Sequence, residues 1–249
     1  MVEDNTEGIH DLSKSDLIRL AGIFLGEALA HYGLWYAQAV HHLSLEEANA
    51  AESEVLKKYA PVALRRLAPH FGIPLEGSVP RILFDKNREE LIELIEDIGK
   101  TWLASDGIWF QEIEARKGMF DAKMVNDHCW AVFGRMEAKK LRAFLDLAGL
   151  PSLKLLEKAL RFRIYTAFND HESYWEDEDT FVWRMLQCRV QETRRRKGLE
   201  DYPCKSAGVI EYTRFAQGID PLIKTECVLC PPDEIPDGVF CAWRFSMKA

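Results

Sequence analysis

The sequence predicts an α+β fold: a duplicated all-helical amino-terminal region, then a small antiparallel sheet with a packed helix, rich in cysteine. Three observations predict it. Apolar residues recur at three- and four-residue spacing through the first two thirds of the 249 residues. A shift of 74 residues lays much of that region over itself. The last quarter changes to short aromatic and β-branched runs, and Cys188, Cys204, Cys227, Cys230 and Cys241 fall there while Cys129 stands apart.

The elements follow in chain order. Leu17, Leu20, Ala21, Phe24 and Ala28 form one buried helical face, and Ser44 with Glu47 reads as a capping box opening the next helix. Gly33 and Gly107 are expected to break one helix from the next, and Pro61 to sit in a helical first turn. Gly72-Ile73-Pro74 and Gly149-Leu150-Pro151 are expected to end the fourth helix of each copy, and a closing helix is expected over 152–168. The shift brings residues 17–67 over 91–141 without a gap. It matches Leu17 with Leu91, Ile18 with Ile92, Leu20 with Leu94, Gly33 with Gly107, Trp35 with Trp109 and Ala48 with Ala122.

Duplication separates packing from function. Residues shared by both copies, such as Trp35 and Trp109, serve the core that both need. The second copy carries Glu112, Glu114, Asp127, His128 and Cys129 where the first has Gln38, Val40, Ser53, Glu54 and Val55. A carboxylate, an imidazole and a thiol near aromatic rings can make an acid–base or metal site; a solvated helix face with a buried cysteine beside Trp130 fits as well. In the first copy, Glu27 and His31 lie four apart near His41 and His42, a spacing as common in simple side-chain pairs as in ligation.

The domain reading is 1–86 for the first helical repeat, 87–168 for the second with its closing helix, 169–180 for an acidic connector and 181–249 for the cysteine-rich module. The connector, Asp170 to Asp179 with His171 among its carboxylates, reads as a solvent-facing charge run. Strands are expected over 181–190, 223–230 and 239–246, with a helix over 206–218, and further strands can hide in what reads as helix. The run Arg194-Arg195-Arg196-Lys197 before Gly198 reads as a helix carboxyl end.

Cys227-Val228-Leu229-Cys230 has zinc-knuckle spacing but not the setting. Val228 and Leu229 favour extended chain, and residues three apart on a regular strand point to opposite faces. Three readings of the cysteines stay open: apolar core fillers, a zinc or iron–sulfur centre, and a reactive thiol at Cys204, where a following helix start lowers a thiol pKa.

Net charge is −8, which argues against a phosphate-backbone partner. The acidic start and the interruption of residues 17–30 by Arg19 and Glu27 read against an export signal or a membrane span, so a cytoplasmic location with reduced thiols is expected. There is no Gly-rich phosphate loop, Gly-x-Ser-x-Gly elbow or His-Glu-x-x-His pair.

Cys188, Tyr202-Pro203-Cys204-Lys205, Glu211-Tyr212, Phe215-Ala216, Ile219-Asp220-Pro221, Cys227-x-x-Cys230-Pro231-Pro232-Asp233 and Cys241-x-Trp243-x-Phe245 resemble an uncharacterised prokaryotic family of anaerobe type. Gly107-Ile108-Trp109-Phe110, with Glu114 and Asp127, resembles that family's amino-terminal half, and the match covers most of 87–245. More distantly, Cys241-Ala242-Trp243-Arg244-Phe245 is similar to the L-2-amino-thiazoline-4-carboxylate hydrolase family, which opens a small sulfur–nitrogen ring. The fold also resembles the vinyl-reductase type of small-molecule-binding domain.

The expected function is therefore a small-molecule binder or hydrolase-like enzyme acting on a cyclic C–N or C–S compound, by a thiol- or metal-assisted mechanism. Cys204 is the expected nucleophile or ligand, with Cys188, Cys227, Cys230 and Cys241 as partners, and Glu114, Asp127 or His128 move protons. Trp109, Lys205 and Arg244 are the expected ligand-binding groups, the two cations holding an anion. Two alternatives stand beside this: a non-catalytic sensor or protein-interaction module, and a cysteine-ligated metal protein. The expected partners are a small molecule and a second copy, not nucleic acid or a membrane.

Overall fold

A computed structural model describes residues 8–67, 70, 75–76, 79–145, 149–234, 236 and 238–247. The α+β class is as expected, with long helices followed by a four-stranded antiparallel sheet. The chain divides into two units, one of Met1–Arg116 with Arg161–Phe168, the other of Lys117–Leu160 with Asn169–Ala249.

The first unit is built on α1 (Lys14–His42), α2 (Leu45–Leu67) and α4 (Arg88–Lys117), with a two-residue strand pair β1 (Leu75–Glu76) and β2 (Val79–Pro80) and a single turn α3 (Ile82–Asp85) between them. Side-chain oxygens satisfy the free amides at helix starts. Ser13 accepts from Asp16 N, Ser44 from Glu47 N, and Asn87 exchanges bonds with Glu90 in a full capping box (2.8 and 2.9 Å). α1 and α4 run parallel: His31 meets Trp102 and, one turn on, Trp35 meets Asp106. The paired tryptophans of the two copies, Trp35 and Trp109, are wholly buried and stack on each other, ring centroids 6.3 Å apart and planes at 7°.

Two expectations about these helices are corrected. Gly33 and Gly107 break nothing; both lie inside continuous helices, because the buried stripe runs through them and outweighs a cost of about 1 kcal/mol per glycine. Pro61 lies inside α2 and not in its first turn. The expected end at Gly72-Ile73-Pro74 lies outside the described residues. α1 has the length and composition of a membrane-crossing helix, a profile that a core helix shares.

The second unit contains α5 (Met119–Leu145), α6 (Ser152–Leu160), β3 (His171–Asp177), β4 (Thr180–Met185), α7 (Arg189–Arg196), α8 (Lys205–Ile219), β5 (Lys224–Leu229) and β6 (Cys241–Ser246). The closing helix expected over 152–168 stops at Leu160, and residues 161–168 join the first unit, where Phe168 fills the space over Gly99. The sheet order is β3-β4-β6-β5. α5 packs along α8 at close range: a Cβ on Gly218 would lie 2.6 Å from that of Ala138, and one on Gly134 would lie 3.0 Å from Glu211 O.

The acidic connector is also corrected, since most of it is the edge strand β3. Its charges masked a period of two. His171, Ser173 and Trp175 face the helices, where His171 stacks on Trp183 (4.5 Å) and Glu157 accepts from Ser173 and Trp175 (2.7 and 3.0 Å). Glu172 and Glu176 point the other way and pair with Arg184 and Arg244. The strand expected over 181–190 ends at Met185; α7 follows, its first amide at Arg189 donating to Asn169 Oδ1 (3.0 Å). As expected, the arginine run closes this helix.

Candidate functional site

The site grows from the turn between α7 and α8. Gln191, on α7, is fully buried, and its carboxamide holds the turn much as a neighbouring strand would. Its Oε1 accepts from Tyr202 N (2.8 Å), and its Nε2 donates to Tyr202 O (2.7 Å) and to Cys204 Sγ (3.1 Å). Arg194 Nε donates to Glu200 O (2.6 Å), and Arg195 forks onto the Asp201 carboxylate (2.6 and 2.9 Å). The turn is thus fixed before α8 begins.

From the other side α5 leans on the same turn. Lys123 donates to Pro203 O (2.6 Å) and lies 4.7 Å over the Tyr202 ring, while Asn126 Nδ2 donates to the Tyr202 hydroxyl (2.8 Å). Asp127 hydrogen-bonds Ser206 in the first turn of α8, and burial pushes its carboxyl pKa upward against that bond. Two acceptor atoms here, Asn126 Oδ1 and Asp127 Oδ1, are buried without a hydrogen-bond partner among the described residues. Such atoms cost free energy unless something donates to them.

The cysteines meet at this turn because the sheet carries an irregularity. Cys227 pairs with Trp243, but Leu229 pairs with Ala242, so Val228 is the extra residue of a β-bulge. The bulge shifts the period of two by one position, and Cys227 and Cys230 therefore share a face. That corrects the expectation that residues three apart here point oppositely. Cys230 follows the last residue of β5 and hydrogen-bonds Cys241, the first residue of β6. The Lys205 amide donates to Pro231 O (2.9 Å), which draws the start of α8 against the Cys230 turn.

Three sulfurs then form a chain of hydrogen bonds. Cys204 bonds Cys230, which in turn bonds Cys241; Cys188 and Cys227 sit near enough to interact by charge. All are free thiols. The Cys230 hydrogen bond pulls the Cys204 thiol pKa down, but burial and the Cys188 and Cys241 sulfurs outweigh it, and the net shift is upward. Cys230 is pushed higher, first by its bond to Cys204, and Cys241 is raised by its bond to Cys230 and by burial. The Cys204 thiol itself donates to Tyr202 O (3.3 Å). On its other side Cys204 Sγ accepts from the Gln191 Nε2–H (3.1 Å). Among the described residues, no group of three or more His, Cys, Asp or Glu side chains is arranged to hold a metal ion.

The remaining expected residues are distributed as follows. His128 is exposed on α5, its Nδ1 against Met124 O (2.7 Å). Glu114 and Trp109 belong to the first unit, and Trp109 is wholly buried in its core with no open ring face. Lys205 lies 2.8 Å from both Asp233 oxygens, and Arg244 bridges Glu176 and Glu226 on the sheet face opposite Trp243. Both cations have carboxylates already, and these partners raise their pKa values. Gln191, Lys123 and Asn126 went unnoticed in the sequence. For Asn126 a signal existed: it replaces Glu52 of the first copy.

Fold and site together define an α+β protein with a chain of thiols ending at the start of a helix. The chain belongs to the family described as Family of unknown function (DUF6125), whose model matches residues 84–247. No curated protein and no solved structure matches it.

Proposed function

We propose that this protein is a hydrolase-like small-molecule enzyme that opens a cyclic C–N or C–S compound, with Cys204 as the reacting group. The observation that supports the reading is the set of polar groups around one sulfur: the Gln191 amide donates to it at 3.1 Å, Cys230 hydrogen-bonds it, and its own thiol donates to Tyr202 O at 3.3 Å. Donors aimed at a sulfur favour its thiolate, the nucleophilic form.

In the free protein the raised pKa keeps Cys204 protonated, so a base must act when substrate arrives. Asp127 suits that role. Burial raises its affinity for a proton, and its bond to Ser206 ties it to the residue two past Cys204. The Cys204 sulfur would bond to the electrophilic ring carbon as the ring C–N bond breaks. The leaving nitrogen takes the proton held by Asp127, and water then releases the product from sulfur with the reverse proton movements. Lys123, which lowers the Cys204 pKa, faces the charge that builds there.

The test is a panel of cyclic amidines, thiazolines and lactams offered to the reduced protein, with ring opening followed by mass. Cys204→Ala is expected to lower turnover by about a hundredfold or more. A Cys204→Ala protein that is folded and turns over at the wild-type rate would sink the proposal.

A further inference from the structure

The three linked sulfurs can do something that ring opening does not use. Cys204 is partly exposed and Cys230 is buried, and Cys230, just past the end of β5, hydrogen-bonds Cys241 at the start of β6. Two sulfurs already in hydrogen-bond contact need little backbone movement to reach disulfide geometry. The Lys205 amide on Pro231 O fixes the other junction, Cys204 against Cys230. Cys230 therefore stands between two sulfurs and can exchange with either.

We infer that Cys204, Cys230 and Cys241 form a hydroperoxide-reducing thiol relay in which oxidation enters at Cys204 and ends as a Cys230–Cys241 disulfide. In the first step the Cys204 thiol gives up its proton as its sulfur attacks a peroxide oxygen; an S–O bond forms, the O–O bond breaks, and the departing hydroxide takes that proton to leave as water. In the second, the Cys230 sulfur attacks the oxidised Cys204 sulfur. An S–S bond forms, the S–O bond breaks, and the hydroxyl leaves as water with the Cys230 proton. In the third, the Cys241 sulfur attacks Cys230, and Cys204 departs as a thiolate that recovers the Cys241 proton. The sum is two thiols and one hydroperoxide giving one disulfide and two oxygen-borne products, with Cys204 unchanged.

The direction of the third step follows from the donors. Exchange expels the sulfur that best carries negative charge, and Cys204 has the Gln191 N–H at 3.1 Å. Cys241 is the natural resting partner because it already hydrogen-bonds Cys230 from the start of β6. The relay uses the sulfur of the ring-opening proposal but needs no ring substrate, so the two can fail separately; turnover is measured on reduced protein, and the relay by oxidising it.

The experiment is stoichiometric hydrogen peroxide added to the reduced full-length protein, followed by alkylation, intact mass and peptide mapping. Wild type is expected to lose about 2 Da as one disulfide between the Cys230 and Cys241 peptides, with Cys204 still alkylated. Cys241→Ser is expected to trap the bond at Cys204–Cys230, and Cys204→Ser to slow disulfide formation by about tenfold or more. Wild-type mapping decides the matter alone if a variant fails to fold. Cys204 accumulating as sulfinic acid while Cys230 and Cys241 stay alkylatable would overturn the relay. So would disulfide formation at the wild-type rate in Cys204→Ser, or thiols that react only after a metal is stripped.

Discussion

The two copies of the helical hairpin share a burial pattern and differ in their neighbours. Shifted by 74 residues, Leu20 and Leu94, Ala21 and Ile95, Phe24 and Ile98, Ala39 and Ile113, Ala48 and Ala122, and Val55 and Cys129 are buried in pairs. Even the polar positions correspond, with Glu27 over Thr101 and His31 over Ser105. Yet the first copy keeps both helices in one unit, whereas the second sends α4 to that unit and α5 to the other, against α8. Glu52 accepts from the hydroxyl of Tyr32 in its own copy (2.8 Å), while its counterpart Asn126 donates to that of Tyr202 beside Cys204. Shared residues build the core; where the copies part, α5 acquires the Cys204 turn.

The largest expected effect belongs to the first copy alone. His31 is buried, and its Nδ1 accepts from Trp102 at 2.6 Å. Burial lowers its pKa from 6.5 to about 3. As pH falls, the unfolded chain takes up this proton before the folded one does. The stabilisation is complete above 6.5 and is lost progressively toward 3, by as much as about 5 kcal/mol. Urea melts between pH 7 and 4 should show that slope in wild type, and His31→Gln should flatten it. An unchanged slope would remove His31 from the account.

Next comes the α5–α8 contact that only the second copy makes. Gly218→Val should cost about 3 kcal/mol by overpacking against Ala138, read as a lower denaturation midpoint. Gln191→Leu should cost about 2 kcal/mol by leaving Tyr202 N–H unpaired and Tyr202 O with only the Cys204 thiol, and should slow Cys204 alkylation by removing the N–H that donates to its sulfur. Smallest are the caps. Asn87→Ala and Ser44→Ala should each lower stability by about 1 kcal/mol, and a large difference between them would mean that the copies depend unequally on their helix starts.

The duplication was legible because packing repeats itself in sequence, and Trp35 with Trp109 announced it. The continuity of α1 and α4 was not, since glycine is a weak breaker when Trp35 and Trp109 anchor the helix two residues on. β3 was hidden because Glu172, Glu176 and their neighbours swamp the alternation of His171, Ser173 and Trp175. Cys204 could be singled out from its place before a helix, and Asp127 from its absence in the first copy. Their meeting with Cys230 and Cys241 could not, because it depends on the bulge at Val228, and a bulge is set by pairing between strands. Gln191 carries no local signal at all; its role exists only once the chain returns at Tyr202.

The central claim is that the sulfur chain ends at Cys204, and cysteine-resolved alkylation of the reduced native protein tests it most directly. Iodoacetamide applied across a pH series, with each cysteine followed by peptide mass, is expected to label Cys204 first and at the lowest pH, with Cys230 the slowest of the linked three. Cys227 or Cys241 reacting first, with Cys204 untouched until the protein unfolds, would contradict the account.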